Sequence, residues 1–94
     1  MNNAITFHDK VLALLYRYKD IQSDMQYGAP FDLTQDGIAN TLRISRSHAS
    51  IVLGRMEDTG EIAFTQCTVK GSNRVHKKRI YYLTESGIKQ YFIR

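Results

Sequence analysis

The chain has 94 residues and a mass of 10.8 kDa, which is room for one domain with one modest core. A hydrophobic content of 43%, a charged content of 23% and a single cysteine, Cys67, exclude a disordered composition, an internal disulfide and a multi-cysteine metal site. The net charge of +4 is unevenly placed: residues 37–56 hold Arg43, Arg46 and Arg55 with no acid, and residues 62–80 hold Lys70, Arg74, Lys77, Lys78 and Arg79 with no acid, so a face shared by these two segments attracts polyanions.

The first element reads as a helix. Phe7, Val11, Leu14, Leu15, Tyr18 and Ile21 or Gln22 follow the rhythm of one helical face. Thr6 is placed to cap it, with Asp9 three residues on in a near capping-box arrangement, and the pattern fades around Ser23. Gly28 and Pro30 make residues 23–33 a loop, with Phe31-Asp32-Leu33 as a short extended piece and candidate third strand. Thr34 is an N-cap, and Asp36 in the first turn suits the dipole of a second helix over Gln35–Leu42. Arg43-Ile44 breaks the pattern. Ser45 then caps a third helix running to about Asp58, with Ala49, Val52, Leu53 and Met56 facing inward and Gly60 closing it. The period next changes to that of strands. Ile62–Val69 and Val75–Leu83 form a β-hairpin around the turn-like tip Lys70–Arg74. Thr84-Glu85-Ser86-Gly87 opens a last short helix with Ile88, Tyr91 and Phe92 on its apolar side.

The second and third helices are joined by a very short turn, the geometry in which a helix can enter a DNA major groove. Ile38, Ala39, Leu42, Ile44, Ala49 and Val52 fall where such a bihelical unit needs apolar contacts. Ala39 is small where the helices cross, and Ile44 plugs the turn against the core.

On these residues the chain resembles the winged helix-turn-helix family. The stretch Leu33 to Ser50, LTQDGIANTLRISRSHAS, is similar to the family's LTQ-x-x-IA-x-x-L-x-IS-R-S-x-x-S core. Glu57-Asp58-Thr59-Gly60-Glu61-Ile62 resembles the run that leads into the wing, and Lys78 to Gly87, KRIYYLTESG, resembles the run that ends it. The resemblance covers Thr6 to the C-terminus and is closest to MarR-type domains and archaeal winged-helix regulators. It implies an α+β winged helix in one domain, residues 1–94. The helix-turn-helix would span about 34–59 and the wing about 62–83. The implied function is sequence-specific double-stranded DNA binding by a transcriptional regulator. Two positions depart from the pattern. Arg43 occupies a turn position often held by glycine, where a left-handed backbone is costly. Ile51 and Gly54 stand where the recognition helix is often basic. Ile51 suits either a thymine methyl or a protein contact.

Direction along the elements assigns roles. Ser45, Arg46, Ser47 and His48 lie at the N-terminal end of the third helix, where the dipole favours phosphate. Arg46, Ser47, Ser50 and Ile51 are the candidates for groove contacts. Arg55, a turn further on, is expected at a phosphate, as are Thr34 and Gln35 at the start of the second helix. At the wing tip, Lys70, Asn73 and Arg74 suit the minor groove or its phosphates. Lys77, Lys78 and Arg79 flank them, although strand alternation keeps all three from facing the DNA together.

Other chemistry has little to rest on. His8, His48 and His76 show no ligand spacing, so no metal or cofactor is expected. No phosphate loop, catalytic triad or carboxylate pair appears, so no enzyme is expected. No apolar run reaches the ~18 residues of a membrane span, and residues 1–6 lack a signal-peptide pattern, which gives the expectation of a cytoplasmic chain without a membrane partner. Apolar residues at both chain ends suggest a homodimer through the first helix and residues 88–93. The competing reading is a winged-helix docking module that binds protein and not DNA.

Overall fold

The computed structural model describes residues 6–20, 28–69 and 77–93. Helix α1 is Phe7–Tyr16 and opens on a capping box in which Thr6 Oγ1 accepts from Asp9 N–H and the Asp9 carboxylate accepts from Thr6 N–H. The helix stops sooner than its apolar pattern suggests. From Arg17 the chain continues in turns with i→i−3 bonds, Tyr18 N–H to Leu15 O and Lys19 N–H to Tyr16 O. Tyr18 still packs on the core, and its hydroxyl donates to Asp32 at 2.8 Å. The expected positions of Ile21 and Gln22 lie outside the described residues.

The expected strand at residues 31–33 is a 3₁₀ turn, Phe31–Leu33, closed by Leu33 N–H to Pro30 O and Thr34 N–H to Phe31 O. The strand-like contact falls earlier. Ala29 makes a single parallel bridge to Val69, with its N–H on Thr68 O at 2.8 Å. Pro30 has no N–H to extend that ladder, so the chain turns instead.

Helix α2 is Gln35–Leu42 and helix α3 is Arg46–Asp58. Each begins at its expected cap, Thr34 accepting from Gly37 N–H and Ser45 from His48 N–H. Between them Arg43 adopts a left-handed backbone, φ 58° and ψ 46°, despite carrying a side chain. Its N–H and that of Ile44 satisfy carbonyls at the end of α2. Gly60, at φ 81°, ends the turn after α3.

Strands β1, Ile62–Thr68, and β2, Lys77–Leu83, pair antiparallel from Ile62 opposite Leu83 to Thr68 opposite Lys77. Residues 70–76, which include the expected tip and the start of the second strand, lie outside the described residues. Helix α4 is Glu85–Ile93. Gly87 lets its first turn sit on the Glu61 carbonyl, since a Cβ there would collide with that oxygen. The Thr84 hydroxyl donates to the Gly60 and Glu61 carbonyls of the same root.

All these elements close on one core. Leu12, Leu15, Leu33, Ile38, Leu53, Met56 and Ile80 are fully buried within it. Ala49, Leu53 and Met56 bury the inner face of α3, with Val52 half-buried. Tyr81 is buried beside the equally buried Ile80, and Tyr82 is half-buried, so both faces of β2 are covered at this end. Phe92 departs from its expected place on the apolar side of α4. It is 68% exposed, while Ile88 and Tyr91 pack on the core. Among the described residues no helix is long and apolar enough to cross a membrane.

Candidate nucleic-acid interface

Burying Ala49, Leu53 and Met56 turns the opposite side of α3 outward. Arg46, Ser47, Ser50 and Ile51 are all exposed, and with Gln35 they line an open concavity of about 610 Å³. A second cleft of about 230 Å³ adjoins it, lined by Thr34, Gln35, Asp36, Arg46, Lys78 and Arg79. Gln35 and Arg46 border both. The outer face of α3 is thus continuous with the basic start of β2.

Local bonding explains why these side chains share one surface. Arg46 Nε lies 2.7 Å from Asp36 Oδ1, although the N–H is not aligned on that oxygen, which has no hydrogen-bond partner. Gln35 Nε2 donates to the Arg46 carbonyl at 3.2 Å. The starts of α2 and α3 are therefore tied together twice. The Asp36 oxygen is buried but 77% of the Arg46 side chain is exposed, so the pair is worth at most about 1 kcal/mol and phosphate can compete for the guanidinium.

On the wing, the Arg79 guanidinium lies 4.3 Å from the centre of the Phe64 ring, a cation–π contact that holds it near the sheet. Lys77, Lys78 and Arg79 are all exposed. Lys78 and Arg79 reach the same cleft although they are consecutive in the strand. Lys70, Asn73 and Arg74 lie outside the described residues.

This geometry limits two of the expected contacts. Thr34 is only 2% exposed. Its N–H and O–H both go to the Phe31 carbonyl, and its Oγ1 accepts from Gly37. It has no donor left for phosphate. His48 is half-buried and turns its ring edge-on to Phe7, centroids 4.7 Å apart at 83°. His48 and the exposed Arg55 border a separate cavity of about 330 Å³ between α1 and α3, with Phe7, His8, Val52 and Met56. Ser45 is exposed, with its hydroxyl committed to the cap.

Two residues of the surface escaped the sequence reading. Strand alternation gives no reason to expect Arg79 beside Lys78, because neighbours point apart. The signal for it was present, since it lies two residues from Tyr81 on the same strand face, within reach of Phe64. Asp36 was read only as a favourable first-turn acid, yet it is also the partner of Arg46.

Behind the surface stands a buried carboxylate. Glu61 is 7% exposed. It accepts from the Thr59 hydroxyl at 2.7 Å, and His8 Nε2 lies 2.8 and 3.0 Å from its two oxygens. This links α1 to the junction of α3 and β1. Among the described residues no group of three or more His, Cys, Asp or Glu is placed to hold a metal ion.

Three helices, a tight turn carrying a left-handed residue, and an antiparallel hairpin rooted beside the third helix decide the architecture. The fold is a winged helix. The winged-helix chain is similar to structures of MepR from Staphylococcus aureus, a MarR-family transcription regulator. A point mutant of MepR shares 25% identity at a TM-score of 0.66, covering 97% of this chain and 56% of that one. Another mutant, bound to an oligodeoxyribonucleotide, shares 22% at 0.66, covering 96% and 54%. The MepR structure described as a regulator of the multidrug efflux pump MepA shares 24% at 0.63, covering 97% and 55%. The winged-helix chain therefore spans little more than half the length of these neighbours. No family model matches it, and no curated protein matches it.

Proposed function

We propose that this chain binds double-stranded DNA as the winged-helix domain of a cytoplasmic transcriptional regulator, not as an enzyme. The observation that carries the reading is the continuity of the outer face of α3 with the Lys78–Arg79 cleft through Gln35 and Arg46. A helix laid in a major groove along that face brings the basic start of β2 to the flanking backbone. In this arrangement Ser47, Ser50 and Ile51 face base edges, Arg46 and Gln35 meet the groove rim, and Lys77, Lys78 and Arg79 meet phosphates. Lys70, Asn73 and Arg74, outside the described residues, are the sequence's candidates for the minor groove. The likeness to a fold seen with an oligodeoxyribonucleotide supports the same reading.

A palindromic site calls for two copies. The aromatic cluster between α1 and α4 supports a homodimer there. Tyr16 and Tyr91 stack at 4.3 Å, Phe92 packs edge-on to Tyr16, and Phe92 and Ile93 remain 68% and 76% exposed. A monomer in sedimentation at high micromolar concentration would remove that part of the proposal.

Anisotropy with random duplex DNA at two salt concentrations tests the reading. The log–log slope is expected near −0.9 for each phosphate neutralised. Arg46→Ala, Lys78→Ala and Arg74→Ala should each weaken binding and shrink the slope by about one. A folded sample with no binding at low salt would favour the docking module, for which the exposed Ile51 is the supporting observation.

A further inference from the structure

The outer face of α3 is narrow in what it can ask of a base edge. The helix contains no Asn, Gln or Lys, so it lacks the bidentate amide that reads adenine. Of its two arginines, Arg55 borders the α1–α3 cavity, and Arg46, paired with Asp36 at the helix start, stands at the groove rim. The Gln35 amide on the adjoining helix gives one N–H to the Arg46 carbonyl. Ser47 and Ser50 are exposed, but a hydroxyl both donates and accepts and so separates bases weakly.

Ile51 is the apolar side chain of the concavity on that face, and it is placed prominently. It is 54% exposed, four residues after Ser47 and three before Gly54, on one line of the helix. At Gly54 an added Cβ would meet nothing within 4 Å. A branched apolar side chain therefore stands between two small residues on the open face. In a major groove its one favourable partner is the C5-methyl group of thymine. Against any other base edge it would strip water from polar atoms and return no hydrogen bond.

We propose that Ile51 is a specificity-determining residue that selects thymine at one position of the bound site through the 5-methyl group. This rests on the DNA-binding reading above. The test takes a site selected from random duplexes by the full chain, then replaces each thymine singly with deoxyuridine at fixed salt. Binding should weaken about fourfold at one thymine for each bound α3, the worth of one methyl group removed from an apolar contact. Ile51→Ala, which favours the helix, should bind the selected site more weakly and lose the deoxyuridine response at that position alone. A thermal melt establishes that the variant is folded. Wild-type binding that is steeply salt-dependent yet indifferent to every deoxyuridine overturns this inference and leaves the DNA-binding reading standing. A deoxyuridine response that survives in Ile51→Ala does the same. Absence of any duplex binding by the folded chain overturns the DNA-binding reading and this inference with it.

Discussion

Two helical glycines should respond to alanine with opposite sign. In the interior of α3, Gly54→Ala adds a methyl group where nothing lies within 4 Å. The helix gains about 1 kcal/mol of propensity and no contact opposes it. Gly37 sits in the first turn of α2, against the 3₁₀ turn. A Cβ there would collide with the Phe31 carbonyl oxygen and lie 2.7 Å from Phe31 C and 2.8 Å from Asp32 Cα. All three are backbone atoms that no rotamer change can move. Overpacking of this kind costs about 1–3 kcal/mol, and three such contacts place Gly37→Ala at the upper end, leaving a net loss of about 2 kcal/mol after the propensity gain. At about 4–8 °C per kcal/mol for a domain of this size, the two melting temperatures should diverge by more than 10 °C, with wild type between them. Urea denaturation, with unchanged slopes, reads the same difference at constant temperature. The reasoning fails if both variants move the same way. Gly54→Ala also separates stability from binding, because its methyl group lies on the face assigned to DNA: the variant should melt higher and bind duplex DNA more weakly.

Arg43→Gly should stabilise by about 0.5–1 kcal/mol in denaturant titration, since relief of the left-handed backbone, about 1–2 kcal/mol, outweighs about 0.4–1 kcal/mol of added freedom in the unfolded chain; Arg43→Ala should show no such gain. Glu61→Ala should cost about 2–3 kcal/mol by the same titration, because it removes a buried acceptor from His8 and Thr59. The hydrogen bond to the Asp32 carboxylate, then burial, then the charge of Asp32 raise the Tyr18 phenol above its ordinary 10.0. The folded state thus holds that proton more tightly than the unfolded state, and the resulting stability is complete below pH 10.0 and lost as pH rises through the raised value. Tyr18→Phe should lack that alkaline loss, so the stability gap between wild type and variant should narrow between pH 8 and pH 11.

The helical caps were legible because each depends on one residue type at one spacing. Thr6 with Asp9, Thr34 and Ser45 all cap where the sequence places them. The inner face of α3 was legible for the same reason, as burial follows a 3.6-residue period. Residues 31–33 were misread because Phe-Asp-Leu suits a strand or a turn equally, and the decision lies in Pro30, which ends the bridge begun by Ala29. Thr34 and His48 are less open to DNA than their motif positions suggest, for a tertiary reason. Position in a motif places a side chain near a groove, but a neighbour decides whether it is free. For Thr34 that neighbour is the Phe31 carbonyl, and for His48 it is the ring of Phe7. Arg79 was missed because its orientation is set by Phe64 on the paired strand, a contact that no single-strand pattern contains.

DNA binding as proposed requires α3 and the wing to keep one arrangement, and backbone approaches as well as side-chain packing hold the elements of this chain together. Gly37 lets α2 close on the 3₁₀ turn, and Gly87 lets α4 close on the Glu61 carbonyl. Between these two approaches, Glu61 ties the end of α3 to α1 through Thr59 and His8. The same residue supplies its carbonyl to Thr84, so one junction anchors α1, the wing root and α4. The outer face of α3 is the reverse. It carries serines, an exposed isoleucine, a glycine with open space and an ion pair with an exposed arginine, none of which stabilises the fold by much. Surface substitutions of this kind are tolerated, so the composition of that face is free to follow what it binds. This is why Ile51, with no packing reason to be isoleucine, carries more functional information than the buried apolar residues behind it.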